Sequence, residues 1–518
     1  MSEDVPGAPS AAGSGGRPAG ERLPGEALPG QGRWPEVELE ALFQARFSEG
    51  LAPVLVAEVT RPGSSTVRVL RGAADDAGHP PDERTAFRIA SCTKSFTAAA
   101  ALVLRRSGRL DLATDIREWL PELRFTGAFA TAGPVTLRHL LTMSSGLPED
   151  DPWADRQESM PAEQFDRLLA GGIRLASAPG DRFRYSNLGY AMLGRILERA
   201  SGTSYRALVA ESLLRPLGLA DTVFSASELT VPAVHGYRHA PGGWQQLPFS
   251  GPGMFSPIGG LFSTLRDLRR WAAWLAAGPA HAADPSAAGP LAAGPLDLAE
   301  RAEMQRIHRP VPLRPGDLPG TRRGYGFGLN VLEHPAAGRI VSHSGGYPGF
   351  SAHMRWHPET GTVALGLENA TYSRIGEAVT RALDTALGIA PQAPANQPPP
   401  AGIEERSDAG TWPELHAVRE ALAAWLSGPT AEAENGLRAY FAPNIDQDQP
   451  WEERRGEWLR LRAAVGPLHP ERARTAGGDA PAELRWIVPG ERGELCCRAQ
   501  LNPVEVPQVQ RLDITLES

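Results

Sequence analysis

Of the 52 basic residues in this 518-residue chain, one is a lysine. It is Lys94, in the stretch Phe87-Arg88-Ile89-Ala90-Ser91-Cys92-Thr93-Lys94-Ser95-Phe96, three places after Ser91. Arginine keeps its charge at any working pH, whereas lysine can give up its proton. A chain that otherwise uses arginine and keeps a single lysine points to a position that needs an amine base. Phe96, Ala99, Ala100, Val103 and Leu104 recur at helical spacing. Residues three apart share a helix face, roughly 5–6 Å apart at Cβ. Ser91 at the mouth of such a helix has an amine beside its hydroxyl and free N–H groups behind it. A buried, neutral amine can accept the hydroxyl proton.

Two further stretches carry reactive types. In Phe183-Arg184-Tyr185-Ser186-Asn187-Leu188, Tyr185 and Asn187 lie two apart and can face the same way on extended chain. A phenol and an amide there can act as proton shuttle and hydrogen-bonding partner. Without the other sites, the same residues would read as a helix entry capped by Ser186 or Asn187. Ile340-Val341-Ser342-His343-Ser344-Gly345-Gly346 is a strand running into glycines. Other candidates point to structure. Cys92 reads as a small apolar filler on the inner face of its helix. His235 and His239 have a ligand-like spacing, but Gly236 and the lack of a nearby carboxylate favour a surface loop, so no metal is expected. Glu368-Asn369 reads as structural. No G-x-S-x-G elbow occurs.

The elements that must position these residues follow from periodicity. Val37 to Phe47 is helical. Val54 to Val59 and Thr66 to Leu70 are strands about a Pro62-Gly63-Ser64 turn. After Asn187, the residues Leu188, Met192, Leu193, Ile196 and Leu197 form one helix face. Gly259 to Leu275 opens into another helix, and Tyr325 to Leu329 is expected as a strand. Phe350, Ala352, Met354 and Trp356 alternate, as do Val363, Leu365 and Leu367, giving a hairpin beside the His343 strand. A helix follows over 375–387. Strands at both ends with helices between them suggest one α/β (α+β) unit whose terminal strands meet in one antiparallel sheet.

Composition divides the chain into a Gly/Pro/Ala-rich tail over 1–33, a main domain over 34–390, a Pro-rich linker over 391–411, and a small α+β domain over 412–518 with three alternating strands. Ala280 to Pro295 reads as a surface insertion. The net charge of −8 and the lack of a basic cluster exclude nucleic acid as the expected partner. No apolar run reaches 18 residues, so no membrane span is expected. The first residues lack a secretory pattern, and three cysteines make no disulfide framework, which together suggest the cytoplasm. No cofactor is implied.

Ser91-x-x-Lys94, Tyr185-Ser186-Asn187 and His343-Ser344-Gly345, in this order, resemble the S-x-x-K, Y-x-N and K-T-G motifs of the serine β-lactamase and penicillin-binding-protein superfamily, in its class C branch of esterases and D-amino-acid peptidases. The resemblance covers about residues 36 to 390, including Leu140 to Pro148 and Gly259 to Thr264. It implies that Ser91 is acylated and that Lys94 and Tyr185 move its proton. It also implies that Asn187 hydrogen-bonds near Lys94 and substrate, and that the N–H groups of Ser91 and Gly346 hold the oxyanion beside Gly345. The departure is His343, where the family has lysine; an imidazole is only partly charged near neutral pH. This favours an ester, amide or peptide substrate over a β-lactam. The small domain faintly resembles cone-shaped folds of the nuclear-transport-factor-2 type, which bind ligands or form homo-oligomers. The rival readings are a β-lactamase or DD-peptidase, tested by a chromogenic cephalosporin, and a silent scaffold or ligand-binding protein, against which all of Ser91, Lys94, Tyr185 and Asn187 are present.

Overall fold

Runs from opposite ends of the first 390 residues meet side by side in one sheet. Leu55–Thr60 (β1) and Val67–Arg71 (β2) form a hairpin about Gly63, which takes the left-handed φ of 74° its turn requires. From the far end come Arg309–Pro310 (β3), Arg322–Tyr325 (β4), Asn330–His334 (β5), Gly338–Tyr347 (β6), Phe350–His357 (β7) and Thr362–Glu368 (β8). The eight strands pair in the order β2-β1-β8-β7-β6-β5-β4-β3, all antiparallel, with Leu55 opposite Glu368 and Val59 opposite Ala364. In this computed structural model the described residues are 33–277, 294–390, 410–447 and 449–517. Nearly all of the expected tail and linker, and most of the insertion at 280–295, lie outside them.

Both faces of the sheet are covered, which is why every residue of β7 and β8 is buried. On one side Leu39 and Phe43 of Glu36–Ser48 (α1) pack with Ala57, Val59 and Ala364. The other side carries Val56, Met354, Leu365 and Leu367 against the large helical core. At its centre is Thr93–Arg106 (α2), buried without interruption from Thr93 to Leu102. Asp151–Ala154 (α3), Asn187–Ser201 (α4), Ser256–Gly259 (α5) and Leu265–Ala276 (α6) belong to the same helical half. Phe96 of α2 stacks on Trp271 of α6 with ring centroids 3.9 Å apart, a geometry that adds about 0.5–1.5 kcal/mol to simple burial. Gly376–Leu387 (α7) closes the α1 side.

One strand expectation fails. Tyr325 to Leu329 is not a strand: β4 ends at Tyr325 and the chain turns before β5. Gly328 has a φ of 69°, and a Cβ there would collide with Lys94 O behind the reactive helix. The aromatic and apolar residues of this stretch face the core through a turn, so their types mimic a strand without its geometry.

The small domain has its own core, built from Pro413–Ser427 (α8), Ala431–Arg438 (α9), Trp451–Val465 (α10) and the strands Arg474–Gly477 (β9), Glu483–Gly490 (β10), Gly493–Leu501 (β11) and Val509–Glu517 (β12). Trp425, Trp451 and Trp458 meet edge to face within it. The sheet has four strands in the order β9-β10-β11-β12, one more than the alternation reveals, because β9 breaks its pattern with an irregularity between Thr475 and Gly477. The domain docks on the main one: Arg238 of the main domain forms two 2.9 Å bonds with Glu453, Arg174 meets Glu414 at 2.9 Å, and Arg124 pairs with Glu505. Its Gln510 and Asn444 reach α3, as described below.

Candidate active site

Ser91 stands where extended chain becomes helix. Ala90, just before it, has a φ of 47°. This left-handed value costs a residue with a Cβ about 1–2 kcal/mol. The short 3-10 turn Ala90–Cys92 that follows leads straight into α2 and sets Ser91 one turn from Lys94. Lys94 Nζ donates to Ser91 Oγ at 2.8 Å and to Ile258 O at 2.8 Å. The second acceptor belongs to α5, which can lie so close because Gly194 of α4 has no Cβ to strike the Pro257 ring. Lys94 is fully buried, and that burial brings its pKa down to about 8. The charges of Asp151, Asp155 and Asp150 act in the opposite sense and keep it from falling further.

Tyr185 lies just ahead of α4, with the Lys94 ammonium 5.0 Å from its ring centroid and the Ser91 side chain close to its hydroxyl. Burial, with Asp151 nearby, drives its pKa well above the ordinary phenol value. Tyr185 therefore keeps its proton and is suited to donate it. Ser186 caps α4 by accepting from Gly189 N–H, and Asn187 is the first helical residue. The Asn187 amide does not share the direction of Tyr185: its Nδ2 donates to Asp151 Oδ1 at 2.6 Å and Asp155 Oδ1 at 3.2 Å. Its Oδ1 is buried without a partner among the described residues.

The β6 strand completes the group. A Cβ on Gly345 would collide with Ile89 O, so only glycine lets this strand press against the turn that carries Ser91. Gly346 comes next, with the Tyr372 ring over it, where a Cβ would strike the ring. His343 enters the same region but not as a cation. Its ring is almost wholly buried, and burial, reinforced by the Lys94 charge, takes its pKa down to about 3. Nδ1 lies 2.6 Å from Ser344 O, which can only accept, so Nδ1 carries the hydrogen and Nε2 receives the Tyr325 hydroxyl at 3.1 Å. The expectation of a partly charged imidazole is corrected by this neutral tautomer. Cys92 is inert here, with its thiol pushed up to about 12 by burial. His235 precedes a hairpin strand at 236–240 and stacks on Phe249, His239 lies within that strand and meets Trp244, and no metal-ligand cluster occurs among the described residues. Glu368 pairs with Arg46 at 2.9 Å, and Asn369 ties Val54 N–H to His235 O, both structural contacts.

Sequence reasoning missed four residues around the site. Asp150 accepts from Ser186 Oγ and from the N–H groups of Asn187 and Leu188 at 3.0, 2.6 and 2.9 Å, capping α4 from another segment. Burial raises it to about 7 and raises Asp155 as well, while Asp151, which is exposed at the rim, is lifted to about 6 by partial loss of its water. Tyr372, with a φ of 48°, donates to Asp155 Oδ2 at 3.1 Å. The run Glu149-Asp150-Asp151, directly after Leu147-Pro148, was the available signal; acidic runs are ordinarily solvated, which hid it. The small domain holds this run from outside. Gln510 Nε2 donates to Glu149 O at 2.7 Å and Gln510 Oε1 accepts Trp153 N–H at 3.3 Å, while Asn444 Nδ2 donates to Trp153 O at 2.8 Å.

Comparison with known proteins agrees with this geometry. The profile of the beta-lactamase family matches residues 39–387. An esterase, EstB of Burkholderia gladioli, is 29% identical over 394 residues, spanning 67% of this chain and 94% of its own. A penicillin-binding protein of Bacillus subtilis is 28% identical over 299 residues, 53% of this chain; the chain spans only 58% of that relative's length. Among solved structures, an octameric penicillin-binding protein homologue from Pyrococcus abyssi superposes with a TM-score of 0.58 at 20% identity, over 92% of this chain and 95% of that one. The shared fold thus extends over both domains.

Proposed function

The chain belongs to the beta-lactamase family of serine hydrolases, and from that premise we propose that it cleaves an ester through an acyl-Ser91 intermediate. The observation that carries the reading is the 2.8 Å contact between Ser91 Oγ and a fully buried Lys94 whose pKa is near 8. Once neutral, Lys94 Nζ takes the Ser91 proton as Oγ bonds to the carbonyl carbon. The charge that forms on the carbonyl oxygen faces the N–H groups of Ser91 and Gly346; such donors are often the largest single contribution to the rate. Collapse breaks the bond to the alkoxide. Tyr185 gives its proton to that leaving group and is refilled from Lys94, a division of labour that follows from its raised pKa. Water then attacks the acyl carbon with Lys94 again as base, releasing the acid and restoring Ser91.

An ester rather than a β-lactam is favoured because the neutral His343 supplies no fixed cation at the position where the third motif of the family carries lysine. The extent of the match to an esterase supports the same choice. Amide cleavage would use the same residues. The test is intact mass after exposure to a fluorophosphonate, with Ser91→Ala as control, alongside turnover of p-nitrophenyl esters and a chromogenic cephalosporin. The expected result is one phosphonyl adduct that Ser91→Ala abolishes, ester turnover, and negligible cephalosporin turnover. Efficient cephalosporin hydrolysis would replace the esterase reading with a β-lactamase one; no adduct on folded protein would leave a silent scaffold.

A further inference from the structure

A cavity of about 590 Å³ lies along the other face of β6, lined by Ser342, Ser344 and Gly346 of that strand. Five guanidiniums line it, those of Arg314, Arg323, Arg355, Arg374 and Arg381, against a single carboxylate, Glu377. Two outer acids take up part of the charge. Asp317 grips Arg323 through two bonds of 2.6 and 2.5 Å, and Asp384 stands 3.7 Å from Arg355 Nη2. Glu377 stands 3.7 Å from Arg374 Nη1, which leaves Arg314 and Arg381 without an ion pair among the described residues. Arg355 is 92% buried and its Nε has no hydrogen-bond partner among the described residues. His353, 95% buried, uses Nδ1 on Ser344 Oγ at 2.8 Å and leaves Nε2 without a partner. Leaving such buried groups unpaired is costly. The first turn of α7 adds to the same field: Gly376, its first residue, is so close to His353 that a Cβ would lie 3.0 Å from Nδ1, and a helix start favours negative charge.

We propose that this cavity is an anion subsite for a carboxylate or phosphate group. It reaches the nucleophile through Gly345, which lines it and presses on the Ser91 turn at Ile89 and Ala90, and through Tyr372, which covers Gly346 and bonds to Asp155. An anion there would satisfy Arg355 Nε and His353 and offset the surplus of guanidinium charge. Two sources share this chemistry: an acidic arm of the substrate held at Ser91, or a free anion. The first rests on the esterase reading; the second does not.

The experiment has two arms. In the first, kcat/KM is measured for p-nitrophenyl butyrate and for the p-nitrophenyl monoester of glutarate, in wild type, Arg355→Met and Arg314→Ala; Arg314 is on an exposed loop and its removal leaves the core intact. In the second, inorganic phosphate and glutarate are titrated against the melting temperature of Ser91→Ala protein, with and without Arg314→Ala. The expected result is a preference of about tenfold or more for the glutarate ester, as a charge-assisted bond supplies. It falls below threefold in either arginine variant, while butyrate turnover changes less than twofold. A rise in melting temperature with phosphate but no preference between the esters upholds the subsite with a free anion as its ligand. Equal esters and no thermal shift from either anion overturn the subsite while leaving the hydrolase reading standing. A thermal shift without any ester turnover does the reverse.

Discussion

Along β6, neighbouring residues face opposite chemistries. His343 points to Tyr325 and lies in the field of Lys94, among groups whose charge burial has drained: the imidazole to a pKa of about 3, the amine to about 8. Ser342, Ser344 and Gly346 look the other way, into a cavity lined by five arginines. The two-residue period of a strand lets one element serve both. On the first face a proton must move, so the cation is one that can lose it. On the second, charge is held fixed, and arginine is the residue that cannot let it go. Sequence composition reflects the same division: lysine occurs once in the chain, on the face where a base is needed.

The strongest way to break this contrast is to place a permanent charge on the drained face. Lys94→Arg should lower ester kcat/KM by roughly 10³-fold, within the range for loss of a positioned base, with phosphonyl labelling slowed in step. Retention of more than a tenth of wild-type turnover would remove Lys94 from the mechanism. A second substitution sharpens the contrast. Lys94 acts as a base only when neutral, so kcat/KM should rise with pH and level off above about 8. Asp151 is negative in that range, since its own pKa is near 6, and its charge holds the ammonium form in place. Asp151→Asn should therefore move the acidic limb to lower pH and raise activity at pH 7 several-fold; a limb that moves upward would refute this coupling. The smallest effect is expected at the domain boundary. Gln510→Ala removes two bonds to the 149–153 segment and leaves Trp153 N–H without its acceptor, at a cost of about 1–3 kcal/mol. Thermal unfolding should show that loss, with a smaller change in the pH limb than Asp151→Asn gives.

Much of the frame is local and was legible. The Ser91-to-Lys94 spacing needs only one helical turn, β1 shows itself as an apolar run before a Pro-Gly turn and β8 by alternation, and the two pair with each other. What escaped is what sequence-distant segments make together. Asp150 and Asp155 become buried only because α4 and the small domain close over them. His343 loses its charge through burial, reinforced by Lys94, and both come from segments far from it in sequence. The arginine cavity draws on β4, β7, α7 and a loop, and no one of these segments is a basic cluster. Tyr325 to Leu329 misled because core-facing residues alternate in a turn as readily as in a strand.

The hold of the small domain on α3 has a consequence for how the protein is made. Gln510 lies 361 residues beyond Glu149, and Asn444 lies 291 beyond Trp153. Domains fold as units during synthesis, at about 5–20 residues per second. On that scale the ribosome finishes the eight-stranded sheet, Ser91 and Lys94 included, on the order of ten seconds before it supplies Gln510. During that interval the newborn main domain carries its nucleophile and base while one wall of their surroundings waits for its support. Contacts of such long sequence separation form last, so acquisition of full activity should trail completion of the main domain.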